Sequence, residues 1–404
     1  MRILIIHEYN RPYGGAEQYL HDVCHALREM GHRVALVCAR DQDQAFLPVD
    51  ARYGIERSFG VRSGSRVLPF GKEILRVERP DLVFLNGLGF FISPLVLRWV
   101  VRSCPSVLLV HYLDLVCPIG RKVVPMSDHP CEWAAGQQCV RKGCLRVLDG
   151  SVPDKLYTVS LSLWRIRALR QCGRVIVPSV YVCRELIRNR FPAARIRVLP
   201  HFTTKEDQPA NEPEGRQILW VGRMEVGKGI DLFLRSLSLL KDQKWRAVIV
   251  GEGPDLGGAT ELAARLGLAD RVDFVGRLAS SELDVYYASS RVLAFTPAFM
   301  ETFGQVGIEA MAFGCPVVAY DAGGPSEWLV DRVTGFLVPR GNYDAMARRI
   351  ASLLEDDALW RQMSEAARAS VNQRFRPERY LAALVRVFEE AMREYGASLP
   401  GDDP

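Results

Sequence analysis

The sequence predicts an α/β protein with two parallel-sheet domains joined by a linker. Three observations carry this expectation. At 404 residues the chain is too long for one hydrophobic core. Short apolar runs alternate with amphipathic stretches in two successive sets, the pattern of strands and helices layered on a parallel sheet. Between the sets, residues 203–216 are polar, carry Pro209 and Pro213, and break the rhythm. The organisation expected is a first domain over 1–202, a linker over 203–216, a second domain over 217–376 and a helical segment over 377–404.

Each element has a local reason. Residues 3–7 form an aliphatic run that meets His7 and Glu8, which suits a buried strand. Residues 16–30 are amphipathic and are closed by Gly31, as a helix is. Further strands are expected over 34–39, 82–86, 107–111, 174–178 and 197–200. The second set places strands over 217–222, 247–251, 272–276, 291–296, 316–319 and 335–339. Helices over 344–375 and 377–395 close the chain. No repeat at a solenoid period and no low-complexity segment interrupts it.

Composition narrows the class. With 48% hydrophobic and 25% charged residues, the chain reads as an ordinary globular protein. The opening apolar run is too short for a signal peptide, and the longest, over 87–101, is interrupted by Pro94 and Arg98. A cytoplasmic location is expected, with contact at the inner membrane face as an option. The net charge of +5 suits anionic small molecules or an anionic membrane surface, and no nucleic-acid motif is present. Ten cysteines without a signal sequence should be reduced. Cys24, Cys38, Cys172 and Cys315 sit in apolar segments and read as core. Cys117, Cys131, Cys139 and Cys144 lie in a polar, irregular stretch with His129. Four thiolates there can hold a structural zinc, although paired Cys-x-x-Cys knuckles are lacking; free thiols are the alternative.

The most informative stretch runs Met300-Glu301-Thr302-Phe303-Gly304-Gln305-Val306-Gly307-Ile308-Glu309 and continues through Gly314-Cys315-Pro316 to Gly323-Gly324. Phe303-Gly304 opens a short helix that Gly314 ends and Pro316 forbids from continuing. Amides at a helix start lack intrahelical partners and carry partial positive charge, so Thr302-Phe303-Gly304 offers an anion site. Glu301, just outside, can accept from sugar hydroxyls. Glu309 lies about 7.5 Å along the axis from Gly304, a step that fits diphosphate to ribose. Taken singly, each acid could equally be a solvated helix residue.

This pattern resembles the signature of retaining nucleotide-sugar glycosyltransferases of the GT-B fold, family four. The resemblance implies two Rossmann-like domains facing across a cleft, with the last helix crossing back onto the first domain. It implies a hexosyltransferase-like enzyme moving a sugar from a UDP or GDP sugar to an acceptor hydroxyl of a glycan or glycolipid, in cell-surface polysaccharide or glycolipid synthesis. No catalytic metal or other cofactor is implied. Arg223 and Lys228, after the first strand of the second domain, match the family's phosphate-binding pair. His111 matches a histidine beside the donor sugar, and Gly15 lies in the matching Gly-rich turn. Arg277 and Leu278 match the turn that meets the base, and Thr302, Phe303, Gly304 and Glu309 match the donor site; the catalytic residues expected from the resemblance are His111, Arg223, Lys228 and Glu301. Many relatives follow the histidine with an acid or amide, where this chain has Tyr112 and keeps an acid only at Asp114.

Other readings compete. Asp41-Gln42-Asp43 looks like a metal-binding Asp-x-Asp but sits in a polar loop. Residues 161–174 combine Leu163, Trp164, Ile166 and Leu169 with Arg165, Arg167, Arg170 and Arg174, so a membrane-surface helix competes with an ordinary core-facing one. Gly251-Glu252-Gly253 after a strand suggests a nicotinamide-dependent oxidoreductase, but Gly257 falls one position late for the dinucleotide fingerprint. A sugar-nucleotide binding module without catalysis is the remaining rival.

Overall fold

The computed structural model describes residues 1–398 except 13, 43, 59–60, 89–90, 126, 128, 149, 206–212, 214 and 241–243. Most of the expected linker lies outside the described residues. The chain divides into two compact units: Met1–Pro200 together with the chain from Tyr380 onward, and His201–Arg379.

The first unit is built on β1 (Arg2–Ile6), β2 (Arg33–Ala39), β3 (Ala51–Ile55), β4 (Leu82–Asn86), β5 (Ser106–Leu109), β6 (Arg174–Val177) and β7 (Ile196–Val198). They form one sheet in the order β3-β2-β1-β4-β5-β6-β7. The second unit holds β8 (Gln217–Val221), β9 (Arg246–Val250), β10 (Val272–Gly276), β11 (Val292–Phe295), β12 (Val317–Asp321) and β13 (Gly335–Pro339), ordered β10-β9-β8-β11-β12-β13. Every strand pairing in both sheets is parallel. Strand order reverses between β1 and β4, and again between β8 and β11. Ligands of open parallel sheets bind outside the carboxyl ends of the strands at such reversals.

Successive strand residues point to opposite sheet faces. Accordingly Ile218, Trp220, Ala247 and Ile249 enter one core with Phe233 and Leu353, while Leu219, Val248 and Val250 enter another with Ile308, Met311 and Trp328. In the first unit the final helix, Pro377–Ser398, sets Phe388 edge-on against Phe84 at 5.2 Å. Its Glu390 accepts from Arg174 at 2.9 Å and from Arg197 at 2.8 Å, and Glu394 also pairs with Arg174.

Three expectations need correction. β3 escaped the sequence reading because Ala-Arg-Tyr-Gly-Ile is a half-exposed edge strand without an apolar run. The helix expected over 344–375 is two, Tyr343–Glu355 and Asp357–Arg374. Asp356 adopts extended backbone between them, and its carboxylate caps the second by accepting from Leu359 N–H at 2.9 Å. The basic stretch over 161–174 is not one helix: the helix is Val152–Leu169, and Arg174 belongs to β6. Arg165 is buried against Asp114, so the arginines do not form one basic face. Among the described residues, no helix is long and apolar enough to cross a membrane.

Candidate active site

In the second unit the site grows from the reversal between β8 and β11. The chain leaves β8 through Gly222 and Arg223, then turns tightly and delivers Lys228 to the start of the helix Ile230–Ser238. Beyond β11 it reaches Glu301, whose backbone is clamped on both sides. The Glu301 N–H donates to the Ala322 carbonyl at 2.8 Å, and its carbonyl accepts from the Gly324 N–H at 2.9 Å. Held in this way, the Glu301 carboxylate accepts from the Lys228 ammonium at 2.9 Å. Arg223 pairs with Glu225 at 2.8 Å, and its charge also reaches Glu301.

Burial would raise the Glu301 carboxyl. The Lys228 charge and hydrogen bond, the Thr302 amide at 3.1 Å and the Arg223 charge outweigh it and hold the group below the ordinary carboxylate range. A lowered pKa means stability that is present above the ordinary range and lost as pH falls through the lowered value.

Gly304 caps the helix Gln305–Ala312 at a φ of 90°. A Cβ there would lie 2.7 Å from the Phe295 ring, so only glycine fits the turn that exposes the first helix amides. Phe303 turns its side chain into the core. Its ring is 1% exposed and packs edge-on against His201 at 5.2 Å, while its carbonyl accepts from Trp328 Nε1 at 2.7 Å. Only its backbone can face a ligand. Further along the helix, Glu309 accepts from the Tyr287 hydroxyl at 2.9 Å. Arg277 lies at the end of the edge strand β10, 3.6 Å from Glu252, and Leu278 packs on the core. The structure therefore gathers Arg223, Lys228, Glu301, Thr302 and Gly304 around one strand-order reversal, with Glu309 on the helix they open and Arg277 and Leu278 two strands away from β8.

In the first unit, Gly15 starts the helix Gly15–Glu29 after β1, and His111 follows β5. The His111 ring meets Tyr19 edge-on at 5.2 Å, and its Nε2 lies 2.9 Å from Asn86 Oδ1. Asp114 is taken up by Arg165 at 3.2 Å, which accounts for that acid without a role in chemistry. His7, Glu17 and Asn86 were missed as site residues. All three are fully buried polar groups, but read along the chain they look like strand ends and a helix-start acid. Only the order of β1, β4 and β5 makes them neighbours.

The competing motifs resolve differently. Gly251 and Gly253 have φ of 140° and 153°, and a Cβ at either would meet the Gly222 or Met224 carbonyl at 1.8 or 2.3 Å. These glycines serve contact between two loops of the same sheet, which leaves the dinucleotide reading unsupported. Asp41 pairs with Arg57 at 3.2 Å, and Asp43 lies outside the described residues. Cys117, Cys131, Cys139 and Cys144 do line one small cavity with Lys122 and Trp133. A Cys144–Cys139 hydrogen bond pulls the Cys139 thiol down and pushes the Cys144 thiol up. Among the described residues, no three His, Cys, Asp or Glu side chains are placed to hold one metal ion. The loop is instead anchored by buried Lys122, which pairs with Glu185 at 2.5 Å and donates to the Trp133 carbonyl at 3.0 Å.

Two Rossmann-like units, each with its polar groups at a strand-order reversal, define an α/β protein of the GT-B fold. Residues 13–206 match Glycosyltransferase Family 4 and residues 202–370 match Glycosyl transferases group 1, and the chain belongs to this glycosyltransferase family. It is 34% identical to a D-inositol 3-phosphate glycosyltransferase of Streptomyces bingchenggensis over 194 residues, 45% of this chain and 42% of that protein. It is 33% identical over 235 residues to the lipopolysaccharide core biosynthesis mannosyltransferase LpsB of Rhizobium meliloti, 55% of this chain and 64% of that one. The chain thus spans about half the length of the curated relatives it matches. Among solved structures, Anabaena Alr3699/HepE in complex with UDP is similar with a TM-score of 0.72 and 20% identity, covering 96% of this chain and 100% of that one. Sucrose-phosphate synthase from Thermosynechococcus elongatus gives a TM-score of 0.73 at 21% identity, covering 98% and 100%. At such identities these likenesses show the shared fold.

Proposed function

We propose that the protein is a retaining glycosyltransferase that moves a sugar from a nucleotide diphosphate sugar to an acceptor hydroxyl. The observation that carries this reading is the Lys228–Glu301 pair at the β8/β11 reversal, beside the glycine-capped helix start. Lys228, Arg223 and the helix amides offer fixed positive charge where a diphosphate leaving group gathers negative charge. Glu301 keeps Lys228 aimed and remains ionised, able to accept from sugar hydroxyls. Glu309 is the ribose acceptor. Retention and the assignment of His111 to the reacting sugar follow the family resemblance. UDP in the complex of the similar Anabaena protein favours a UDP donor, and a GDP donor is the alternative that the family resemblance allows. The lipopolysaccharide core relative favours a glycolipid acceptor, whereas the D-inositol 3-phosphate relative favours a small phosphorylated one.

The direct test incubates the protein with radiolabelled UDP and GDP sugars, with and without lipid-linked and inositol phosphate acceptors. Transfer of label with retained anomeric configuration is expected. Binding without transfer or hydrolysis across the panel would favour the binding-module reading.

The two acids separate by ligand. Glu309→Gln should weaken binding of the free nucleoside diphosphate by roughly tenfold, the loss of one charge-assisted bond to ribose. Glu301→Gln should weaken the intact donor more than the nucleotide. Calorimetry with both ligands checks this, and equal losses for both ligands in both variants would contradict the assignment.

Zinc in the cysteine cavity is also a proposal, and it requires the Cys139–Cys144 hydrogen bond to give way to metal ligation. Elemental analysis of protein purified without a metal-affinity tag tests it: about one equivalent, lost in Cys131→Ser/Cys144→Ser, would establish a zinc clamp. Roughly a tenth of an equivalent or less, with stability unchanged by chelation, would show that the loop stands on Lys122 and Glu185 alone.

A further inference from the structure

We infer that Glu17 and His7 share a proton and, through Asn86, hold the His111 ring in a single tautomer. The functional side of this inference rests on the reading of His111 as a group that acts at the reacting sugar.

The four residues converge on the reversal between β1 and β4. His7 follows β1, Asn86 ends β4, His111 follows β5, and Glu17 lies in the first turn of the helix after β1. His7, Glu17 and Asn86 are each 0% exposed and His111 is 7% exposed. His7 Nδ1 lies 2.7 Å from the Asn86 carbonyl oxygen. A carbonyl only accepts, so Nδ1 carries the hydrogen. His7 Nε2 then faces Glu17 Oε1 at 3.4 Å. Among the described residues, neither Nε2 nor either Glu17 oxygen has a hydrogen-bond partner, and none reaches solvent.

A lone pair on Nε2 aimed at a bare carboxylate would set two buried acceptors against each other. Leaving even one buried polar atom unsatisfied costs about 1–3 kcal/mol, more when it is charged. A single proton between the two atoms removes the conflict, whether written as imidazolium and carboxylate or as imidazole and carboxylic acid. The pair is neutral overall in both forms, which suits its burial. His7 is thereby fixed, and with it the Asn86 peptide. The Asn86 side chain then presents Oδ1 to His111 Nε2 at 2.9 Å. That oxygen accepts the Nε2 hydrogen, which leaves His111 Nδ1 as the acceptor nitrogen. Glu17 and His7 touch no reactant in this arrangement. They are positioning residues for His111.

The chain has seven histidines, few enough to assign one by one. The test is long-range proton–nitrogen NMR on the full chain labelled at histidine, with His7 and His111 assigned by substitution. In the unaltered protein His111 should show the Nε2–H tautomer, and His7 should show hydrogen on Nδ1 with an Nε2 signal shifted towards imidazolium. Glu17→Gln should abolish that Nε2 shift and lower kcat by roughly tenfold to a hundredfold with donor KM nearly unchanged, as misplacement of a reacting group does. Glu17→Asp, which keeps the charge, should recover part of the loss. An Nδ1–H tautomer at His111 in the unaltered protein would overturn the network, and this reading needs no variant to fold. Full turnover in His111→Ala would instead overturn the functional reading beneath it, and the NMR result would stand apart from that failure.

Discussion

Lys228→Ala is expected to lower kcat by roughly 10²–10³ at saturating donor, the loss of about 2.7–4 kcal/mol that removing one preorganised donor to a developing charge produces. The ammonium lies 2.9 Å from Glu301 at the β8/β11 reversal, so its position is set by the fold before any ligand arrives. A charge fixed in advance needs no reorganisation when the leaving phosphate gains charge. The substitution also removes the main influence that holds Glu301 ionised against its burial. The Glu301 carboxyl should therefore titrate higher in the variant, and the variant should lose stability at a higher pH on acidification. Arg223→Ala should also lower turnover, because its guanidinium, held by Glu225 at 2.8 Å, adds positive charge at the same strand end. Near-native turnover in both Lys228→Ala and Arg223→Ala would remove the phosphate assignment altogether.

Trp328→Ala should be the most damaging single change to the second unit, at about 3–5 kcal/mol for loss of a fully buried tryptophan. The indole is 0% exposed, stands against Phe295 at 6.2 Å and donates through Nε1 to the Phe303 carbonyl at 2.7 Å. That carbonyl immediately precedes Gly304 and the helix start. Removing the indole leaves a cavity and an unpartnered buried acceptor at the turn that exposes the helix amides. Trp328→Phe keeps much of the packing and should cost about 1–3 kcal/mol, mainly for the lost hydrogen bond. Denaturant midpoints measure both. Nucleotide affinity should fall in Trp328→Ala more than in Leu353→Ala, a core change on the other face of the sheet. A loss below about 1 kcal/mol, or equal loss of affinity in the two variants, would show that Trp328 does not seat the helix start.

Much of the second unit was legible in the chain because its elements are locally determined. β10 and β13 lie where their apolar runs and flanking glycine and proline put them, and Gly304 and Gly314 bracket the short helix as expected. Reading failed where local signals conflict with context. β3 is an edge strand that buries little, and Asp356 interrupts an otherwise continuous amphipathic pattern with one capping carboxylate. The direction of the Phe303 ring, which belongs to the core, was not read at all, since a motif position does not say which way a side chain turns.

The sequence by itself determined two alternating α/β halves and the basic and acidic residues that follow β8 and β11. These follow from hydrophobic period and turn chemistry, which act over a few neighbouring residues. Only the tertiary structure decided which strand ends meet. Lys228 meets Glu301 across 73 positions, and Asn86 reaches back 79 positions to His7 and forward 25 to His111, because β8 pairs with β11, β1 with β4 and β4 with β5. Strand order depends on packing of the whole sheet, so the ion pair and the buried proton-sharing pair become visible only once both sheets are assembled.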